Sequence, residues 1–326
     1  MTWVRAVVGC SPSPAPANKE AGIAATTSSR AGAAAPRLAV SRRREVGETS
    51  ARSLLMTVLG EYALPRDAAV WTSTLVDVLA LLGVEEKSAR QALARTAAEG
   101  WLAAHREGRR VRWDLTAPGR RLLSAGASRI YSFGREEPRW DQRWLVLLVT
   151  VPDARRELRH RLRTRLAWAG FGTPAPGVWV TPDTGREAEA RQILTELGLA
   201  DQSMSFAATY GSIGCPEFVA RQAWDLDVVA ARYDEFIARF TGLRPAAGDE
   251  TLIAQTLLVH EWRRFPFLDP GLPRELLPAG WTGITAARLF HGRHAEWRPG
   301  AQQRWAERTS SLNRLSTYLC TLPRML

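Results

Sequence analysis

The chain has 326 residues, a net charge of +11 and 45% hydrophobic residues. This length suits two or three domains of roughly 100–200 residues each, and the apolar share is too high for a wholly disordered chain. No stretch approaches the ~20 consecutive apolar residues of a membrane span, no signal-peptide core is present, and three scattered cysteines offer neither a disulfide framework nor a CxxC zinc site. We therefore expect neither a secreted nor a membrane protein, and no metal or cofactor.

The positive charge lies toward both ends of the chain. Residues 1–50 and 51–130 each carry a net charge of +4, residues 246–326 carry +3, and residues 131–245 are neutral. A basic segment commonly binds nucleic acid, because each neutralised phosphate releases counterions. A generally arginine-rich composition is the alternative explanation, since all but two of the basic residues are arginine.

The first 130 residues divide into a tail and a predicted DNA-binding domain. Residues 1–50 are rich in Ala, Pro and Ser without periodicity, which predicts disorder. Residues 51–130 then show three segments with helical spacing, the third from about Glu85 to Glu99. Two short strands, Trp101–Ala104 and Arg110–Leu115, and a fourth helix from Pro118 follow. This order predicts a winged helix-turn-helix.

The third helix has two different faces. At 100° per residue, Ala89, Ala92, Leu93 and Thr96 share one side, and Lys87, Arg90, Gln91, Ala94 and Arg95 share the other. Arg and Lys can donate hydrogen bonds to guanine, and Gln can bond adenine. The outer face is therefore suited to the major groove, although an ordinary solvated helix face has the same appearance. The predicted hairpin supports the first interpretation, because its tip gathers four arginines: Arg106, Arg109, Arg110 and Arg112.

The rest of the chain predicts two further units. Residues 131–245 contain alternating strands and helices, starting with the buried strand Arg143–Val151 and including a second strand, Val178–Val180, after a turn at 172–177. This alternation predicts a ferredoxin-like α/β domain. Residues 246–326 are mostly helical, with separate helices at 285–291 and 301–318. The predicted fold class is α+β, with an N-terminal winged helix-turn-helix, a ferredoxin-like middle domain and a helical C-terminal domain.

Four segments resemble PaaX-type transcriptional repressors, which control phenylacetate degradation and related pathways. They are RSLLMTVLGEYALPRDAAVW from Arg52, the third helix and hairpin over residues 86–123, RWLVLLVTVPDARRELRHRLRTRLAWAGFGTPAPGVWVTP from Arg143, and the C-terminal segment from His260 to Phe290. The last segment contains LDPGLPRELLPAGW, from Leu268 to Trp281. The resemblance runs in the same order from Arg52 to the C-terminus and leaves out the first 50 residues.

The resemblance implies a cytoplasmic, homodimeric repressor that binds double-stranded operator DNA and is released by an aryl-CoA thioester such as phenylacetyl-CoA. An activator role is not excluded by it. It places the DNA contacts on the third helix and on the hairpin arginines: Lys87, Ser88, Arg90, Gln91 and Arg95, with Arg106, Arg109, Arg110 and Arg112.

A thioester of this kind needs arginine donors beside an apolar or aromatic slot. The predicted ligand-binding cluster is therefore Trp262, Arg263, Arg264 and Trp281. A helix end with its aromatic side chains in the core and its arginines in water would give the same pattern.

Catalysis is the less favoured hypothesis. The middle unit resembles the fold of CRISPR adaptation nucleases, in which a carboxylate at the end of the first strand can hold a metal. Asp153 lies near that place, but a single carboxylate is weak support for Mg²⁺. His291 and His294 lie one helical turn apart without a partner motif for zinc. We therefore predict that the chain is not an enzyme, with a metal-dependent nuclease and a non-specific nucleic-acid-binding protein as the alternatives.

Overall fold

A computed structural model describes residues 50–152 and 154–320, with no account of the side chains after residue 310. The predicted tail up to residue 49, Cys10 and Asp153 lie outside the described residues. Helix α1 (Ala51–Val58) begins at Ser50, whose Oγ accepts a hydrogen bond from Ser53 N, the usual way in which a serine satisfies the first turn of a helix. It continues as a π-helical turn over Leu59–Ala63.

The remaining N-terminal elements form a small sheet against three helices. They are β1 (Val70–Trp71), α2 (Thr72–Leu81), α3 (Glu86–Ala98), β2 (Leu102–Glu107), β3 (Arg110–Leu115) and α4 (Ala117–Ser132). All three strands are antiparallel in the order β1-β3-β2. The short β1 was not predicted, because two residues carry no periodicity and only the pairing with β3 makes them a strand. The strand predicted at Trp101–Ala104 instead runs from Leu102 to Glu107, closer to the hairpin tip.

The middle unit is a four-stranded antiparallel sheet with the order β5-β6-β4-β7. Its elements are β4 (Arg143–Val149), α5 (Arg156–Trp168), β5 (Gly172–Ala175), β6 (Val178–Thr181), α6 (Glu187–Glu196) and β7 (Ser203–Thr209). Helices α5 and α6 cover one face, where Leu145 and Leu147 pack against Leu162 and Leu166. The prediction of a turn over 172–177 was wrong for its first residues, because pairing with β6 holds Gly172–Ala175 extended despite their Gly and Pro content.

The other elements are helical: α7 (Pro216–Ala223), α8 (Leu226–Thr241), α9 (Asp249–Trp262), α10 (Phe265–Leu268) and α11 (Gly283–Cys320). The prediction of two separate helices after residue 285 was wrong, because α11 runs through Pro299 without a break. A proline inside a helix costs about 3 kcal/mol. Here Trp297, Ala301 and Trp305 are all buried on either side of it, and their packing offsets that cost.

The largest core joins the two ends of the chain. It contains side chains of α1, α2 and α3 together with those of α8, α9 and α11, so the N-terminal helices pack directly on the C-terminal ones. The middle unit has its own core between sheet and helices. The fold class is α+β, as predicted. None of the helices that the structure describes is long and apolar enough to cross a membrane.

Candidate nucleic-acid interface

Helix α3 presents a buried small-residue face and an exposed polar face. Ala89, Ala92, Leu93 and Thr96 are buried, with exposed fractions of 3% or less. The Oγ1 of Thr96 is satisfied by the Ala92 carbonyl at 2.7 Å, so this polar residue is accommodated in the core. The burial follows the helical spacing of the sequence, as predicted.

The outer face of α3 carries the five predicted polar or small residues, and all are exposed: Lys87, Arg90, Gln91, Ala94 and Arg95. Glu86, Lys87, Arg90, Gln91 and Ala94 line a shallow open depression along this face. Ser88 lies at its margin and is half-buried.

Neighbouring side chains on this face orient one another. The guanidinium of Arg90 pairs with Glu86 Oε1 at 2.7 Å, one turn earlier. Arg95 Nη2 donates to Gln91 Oε1 at 3.3 Å, again one turn away. Lys87 makes no ion pair with any residue that the structure describes. These exposed pairs contribute little to stability, and their donors can exchange to another acceptor at small cost.

The β2–β3 hairpin divides the four predicted arginines into two kinds. Arg110 lies over the ring of Trp71, 4.7 Å from its centroid, and Arg112 pairs with Glu107 at 2.8 Å. Arg106 and Arg109 are exposed and make no ion pair with a side chain that the structure describes. Arg109 stands in the two-residue turn beside Gly108, whose φ of +60° is the left-handed conformation that favours glycine. Arg106 and Arg109 are therefore the freer cations of this hairpin.

The hairpin is fastened to the helices by a polar chain. Trp113 Nε1 donates to Thr72 Oγ1 at 2.8 Å, and that hydroxyl donates to the Val111 carbonyl at 2.9 Å. Thr72 is the first residue of α2, so the hairpin and the helix pair α2–α3 are held in one orientation. Helix α3 and the hairpin tip can then meet one extended partner together.

The predicted ligand-binding cluster is partly inside the core. Trp262 is fully buried, stacks on Phe290 with ring centroids 4.6 Å apart, and donates from Nε1 to the Ile130 carbonyl at 3.2 Å. Trp281 is half-buried, and both tryptophans contact the ring of Tyr233. Trp262 thus has no free surface to offer a ligand in this structure.

The two arginines of that cluster are half-buried. Arg263 donates to the hydroxyl of Ser53 in α1, and burial, followed by the charge of Arg264, lowers the pKa of its guanidinium. The ligand-binding role of these residues stays a prediction.

The LDPGLP motif forms a half-buried turn. Asp269 Oδ1 accepts a hydrogen bond from Gly271 N at 2.7 Å, and Oδ2 accepts one from the Tyr233 hydroxyl at 2.6 Å. Burial raises the pKa of the Asp269 carboxyl despite these two bonds. The motif that identifies the C-terminal segment is therefore explained by folding of this turn.

A buried polar cluster that the sequence did not suggest joins the N-terminal unit to the C-terminal helices. The carboxylate of Glu61 accepts hydrogen bonds from Tyr131 and, at 2.9 Å, from Gln255 Nε2, and it lies 3.4 Å from His294 Nε2. Burial alone raises the pKa of Glu61, but His294, Tyr131 and Gln255 together hold it below its ordinary value. The sequence indicates this cluster only through the polar residues that recur every four or five positions in the otherwise apolar helix α9, such as Thr251, Gln255 and His260.

The described residues give little support for the alternative of a metal site. His294 faces Glu61, whereas His291 Nε2 lies 3.1 Å from the Phe133 carbonyl. Among the side chains of residues 50–152 and 154–310, no three of His, Cys, Asp or Glu form a group that could hold a metal ion. The suggested carboxylate, Asp153, is outside the described residues.

Three family models match consecutive parts of the chain: PaaX-like protein over residues 50–119, PaaX protein central Cas2-like domain over 137–218, and PaaX-like protein C-terminal domain over 224–307. The chain is 36% identical over 251 residues to the Transcriptional repressor PaaX of Escherichia coli strain K12, covering 74% of this chain and 78% of that one. An uncharacterized protein of Mycobacterium tuberculosis shares the fold, with a TM-score of 0.53 and 23% identity over 80% of this chain and 99% of its own. This chain belongs to the PaaX family.

Proposed function

We propose that this chain is a sequence-specific transcriptional repressor that reads operator DNA with α3. In this proposal the helices α1–α3 and the β2–β3 hairpin act as a winged helix-turn-helix. The observation that carries it is the exposed row of Lys87, Arg90 and Gln91 on a helix whose opposite face is completely buried. The Escherichia coli relative is named a transcriptional repressor, which supports the same role and a regulator rather than an enzyme.

The residues of α3 and of the β2–β3 hairpin have different roles in DNA binding. Arg90 and Gln91 reach base edges, where Arg can bond guanine and Gln can bond adenine. Lys87, Ser88 and Arg95 border them on the same helix. Arg106 and Arg109 bind backbone phosphates from the hairpin, whereas Arg110 and Arg112 support the hairpin through Trp71 and Glu107 and contribute less to binding.

The repressor acts as a homodimer on a two-fold symmetric operator. A symmetric dimer places two copies of α3 in successive major grooves, so the half-sites lie about one helical turn, ~10 base pairs, apart. The three-part organisation into residues 51–130, 131–245 and 246–326 belongs to the same proposal, with the last part receiving the effector.

An aryl-CoA thioester releases the repressor from DNA. Its phosphates need cations, and Arg263, Arg264 and Trp281 are the half-buried members of the predicted cluster that can offer contacts. Trp262 acts from the core by positioning them. Because Arg263 also binds Ser53 in α1, a ligand that draws this arginine away acts directly on the first helix of the DNA-binding unit.

A mobility-shift titration tests the proposal. The full chain is titrated on the DNA upstream of its own coding sequence, with excess competitor DNA, in the presence and absence of a panel of aryl- and alkyl-CoA thioesters. A specific complex that one aryl thioester dissolves supports repressor and effector together. A specific complex that no thioester affects removes the effector from the proposal, and absence of any specific complex removes the repressor.

A further inference from the structure

The middle unit carries a strongly cationic helix that the proposed reading surface does not use. The segment 155–168 contains six arginines, at positions 155, 156, 159, 161, 163 and 165, and one acidic residue, Glu157. Arg155, Arg156, Arg161 and Arg163 are exposed and make no ion pair within the part of the chain that the structure describes. In contrast, Arg165 pairs with Glu196 of the neighbouring helix α6 at 2.5 Å.

The charge of the middle unit is segregated between its two helices. Helix α6 lies beside α5 on the same face of the sheet and has three glutamates and one arginine. Residues 131–245 are neutral as a whole, so the cations of α5 are a local concentration and not a general excess. Arg156 and Arg163 are two turns apart on one side of α5, which separates them by about 10 Å, or three base pairs. Two guanidinium groups at this separation can contact two phosphates of one duplex at the same time.

A series of side-chain contacts connects α5 with α4 of the N-terminal unit through α10. Trp168, the last residue of α5, packs against the ring of Phe267 in α10 with centroids 5.5 Å apart. The same Phe267 ring also contacts α4, because the Arg129 guanidinium lies 4.6 Å from its centroid. Arg129 Nη2 also donates to the Pro266 carbonyl at 2.8 Å. Helix α4 begins two residues after the hairpin, so a continuous chain of contacts connects the hairpin with α5.

This connection limits the distance between the two cationic surfaces. The path through α4, the contacts of Arg129 and Trp168 with Phe267, and α5 is about 60 Å long when the side chains are included, so α5 lies no farther than that from the base of the hairpin. That length corresponds to about 18 base pairs of duplex. A duplex that contacts the hairpin can reach α5 if it runs along this side of the molecule and extends beyond the reading site.

We propose that the exposed arginines of α5, represented by Arg156 and Arg163, form a second phosphate-binding surface for duplex DNA that flanks the operator. The inference rests on the proposed function and adds to it a sequence-independent contact by the middle unit. Such a contact increases affinity and salt dependence without changing base preference, because phosphates carry no sequence information.

The test compares two duplexes and four forms of the full chain. One duplex contains only the operator limits found by footprinting, and the other adds 15 base pairs of its natural flank on each side. Affinity is measured against salt concentration for the wild type, for Arg156→Gln/Arg163→Gln, for Arg156→Lys/Arg163→Lys and for the control Arg191→Gln/Arg221→Gln. The control removes the same charge from α6 and α7, which also lie within residues 131–245.

The expected result is a loss confined to the longer duplex. There the slope of log affinity against log salt becomes shallower by about 2 for the α5 variant, one for each lost phosphate contact. The slope is unchanged on the short duplex, and the control follows the wild type on both. Arg156→Lys/Arg163→Lys keeps both positive charges and should therefore have the slope of the wild type. This result distinguishes the loss of phosphate contacts from a disturbed fold.

Three results overturn the inference. The first is an unchanged slope on the longer duplex, and the second is an equal loss on both duplexes. The third is a loss of self-association by the α5 variant in sedimentation without DNA, which would make this face a contact between two copies of the chain. If instead the wild type prefers the operator no more than a scrambled duplex, the proposed function itself fails, and that outcome is visible before any α5 variant is examined.

Discussion

The carboxylate of Glu61, at the end of the first helical segment, lies 2.9 Å from Gln255 Nε2 in the C-terminal helix α9, and both side chains are buried. A hydrogen bond between residues 194 positions apart shows that the N-terminal helices and the C-terminal helices share one interior. Gln302 Nε2 adds a second connection by donating to the Glu61 carbonyl at 2.7 Å. A displacement of the C-terminal helices would therefore be transmitted directly to the helical turn that continues α1.

Glu61→Gln is expected to lower the free energy of unfolding by about 1–3 kcal/mol at neutral pH, because the buried partners of the carboxylate lose their charged acceptor. Urea denaturation of the full chain measures this change. Glu235→Gln is the control, because its ion pair with Arg232 is exposed on both sides and contributes ~0–1 kcal/mol at most. Equal losses in the two variants would contradict the importance of the buried cluster.

The same variant has a predictable pH dependence. Since the pKa of Glu61 is held below its ordinary value of 4.5 in the fold, the ionised carboxylate stabilises the protein above that pH. This contribution is lost as the pH falls from 4.5 through the lower folded pKa. The difference in unfolding free energy between the wild type and Glu61→Gln should shrink over that interval. A difference that stays constant from neutral pH down to acid would show that folding does not shift the pKa of Glu61, and a difference that grows as the pH falls would show that folding raises it.

Gly119→Ala is expected to destabilise the junction between hairpin and α4. A Cβ at this buried position would lie 2.2 Å from the Trp101 carbonyl oxygen, a backbone atom that cannot move without displacing β2. Overpacking of this kind costs about 1–3 kcal/mol. Gly126→Ala in the same helix is the matched control, since a Cβ added there would meet no atom of the described residues within 4 Å, and a helical Gly→Ala change stabilises by about 0.5–1 kcal/mol. Thermal unfolding should give shifts of opposite sign, and two shifts of the same sign would contradict the packing.

The sequence predicted those parts of the fold and site that depend on local periodicity. The two faces of α3 follow from its helical spacing, so the burial of Ala89 and Leu93 and the exposure of Arg90 needed no knowledge of the rest of the chain. The hairpin strand Arg110–Leu115 has the predicted bounds. The continuity of α11 through Pro299 was not predictable, because the packing of Trp297 and Trp305 that maintains it comes from distant helices.

The contacts between distant segments account for the other differences. Trp262 was a candidate ligand contact because aromatic residues beside arginines suit an acyl-CoA, and its burial depends on Phe290 and Ile130, which local sequence does not connect with it. Glu61 gave no signal at all, because a lone glutamate in an amphipathic helix is ordinarily solvated. Only the fold brings Tyr131, Gln255 and His294 around it.

Arg109→Ala is expected to weaken binding to operator and unrelated duplexes alike. Loss of one phosphate contact should make the slope of log affinity against log salt shallower by about 1. Arg112→Ala is the comparison, because this guanidinium is already paired with Glu107 at 2.8 Å and should have a smaller effect. Fluorescence anisotropy at several salt concentrations distinguishes the two variants. If Arg109→Ala reduces affinity for the operator alone, the hairpin reads bases and not phosphates.

The claim that α3 reads operator bases is tested most directly by the specificity ratio, which is the affinity for the operator divided by the affinity for a scrambled duplex. This ratio is measured for the wild type, Arg90→Ala and Gln91→Ala. Each substitution should lower the ratio by the equivalent of about 1–3 kcal/mol, and should relax the preference at one base pair of each half-site. Arg191→Ala, on α6, should leave the ratio unchanged. An unchanged ratio in both α3 variants would show that α3 is not the recognition helix.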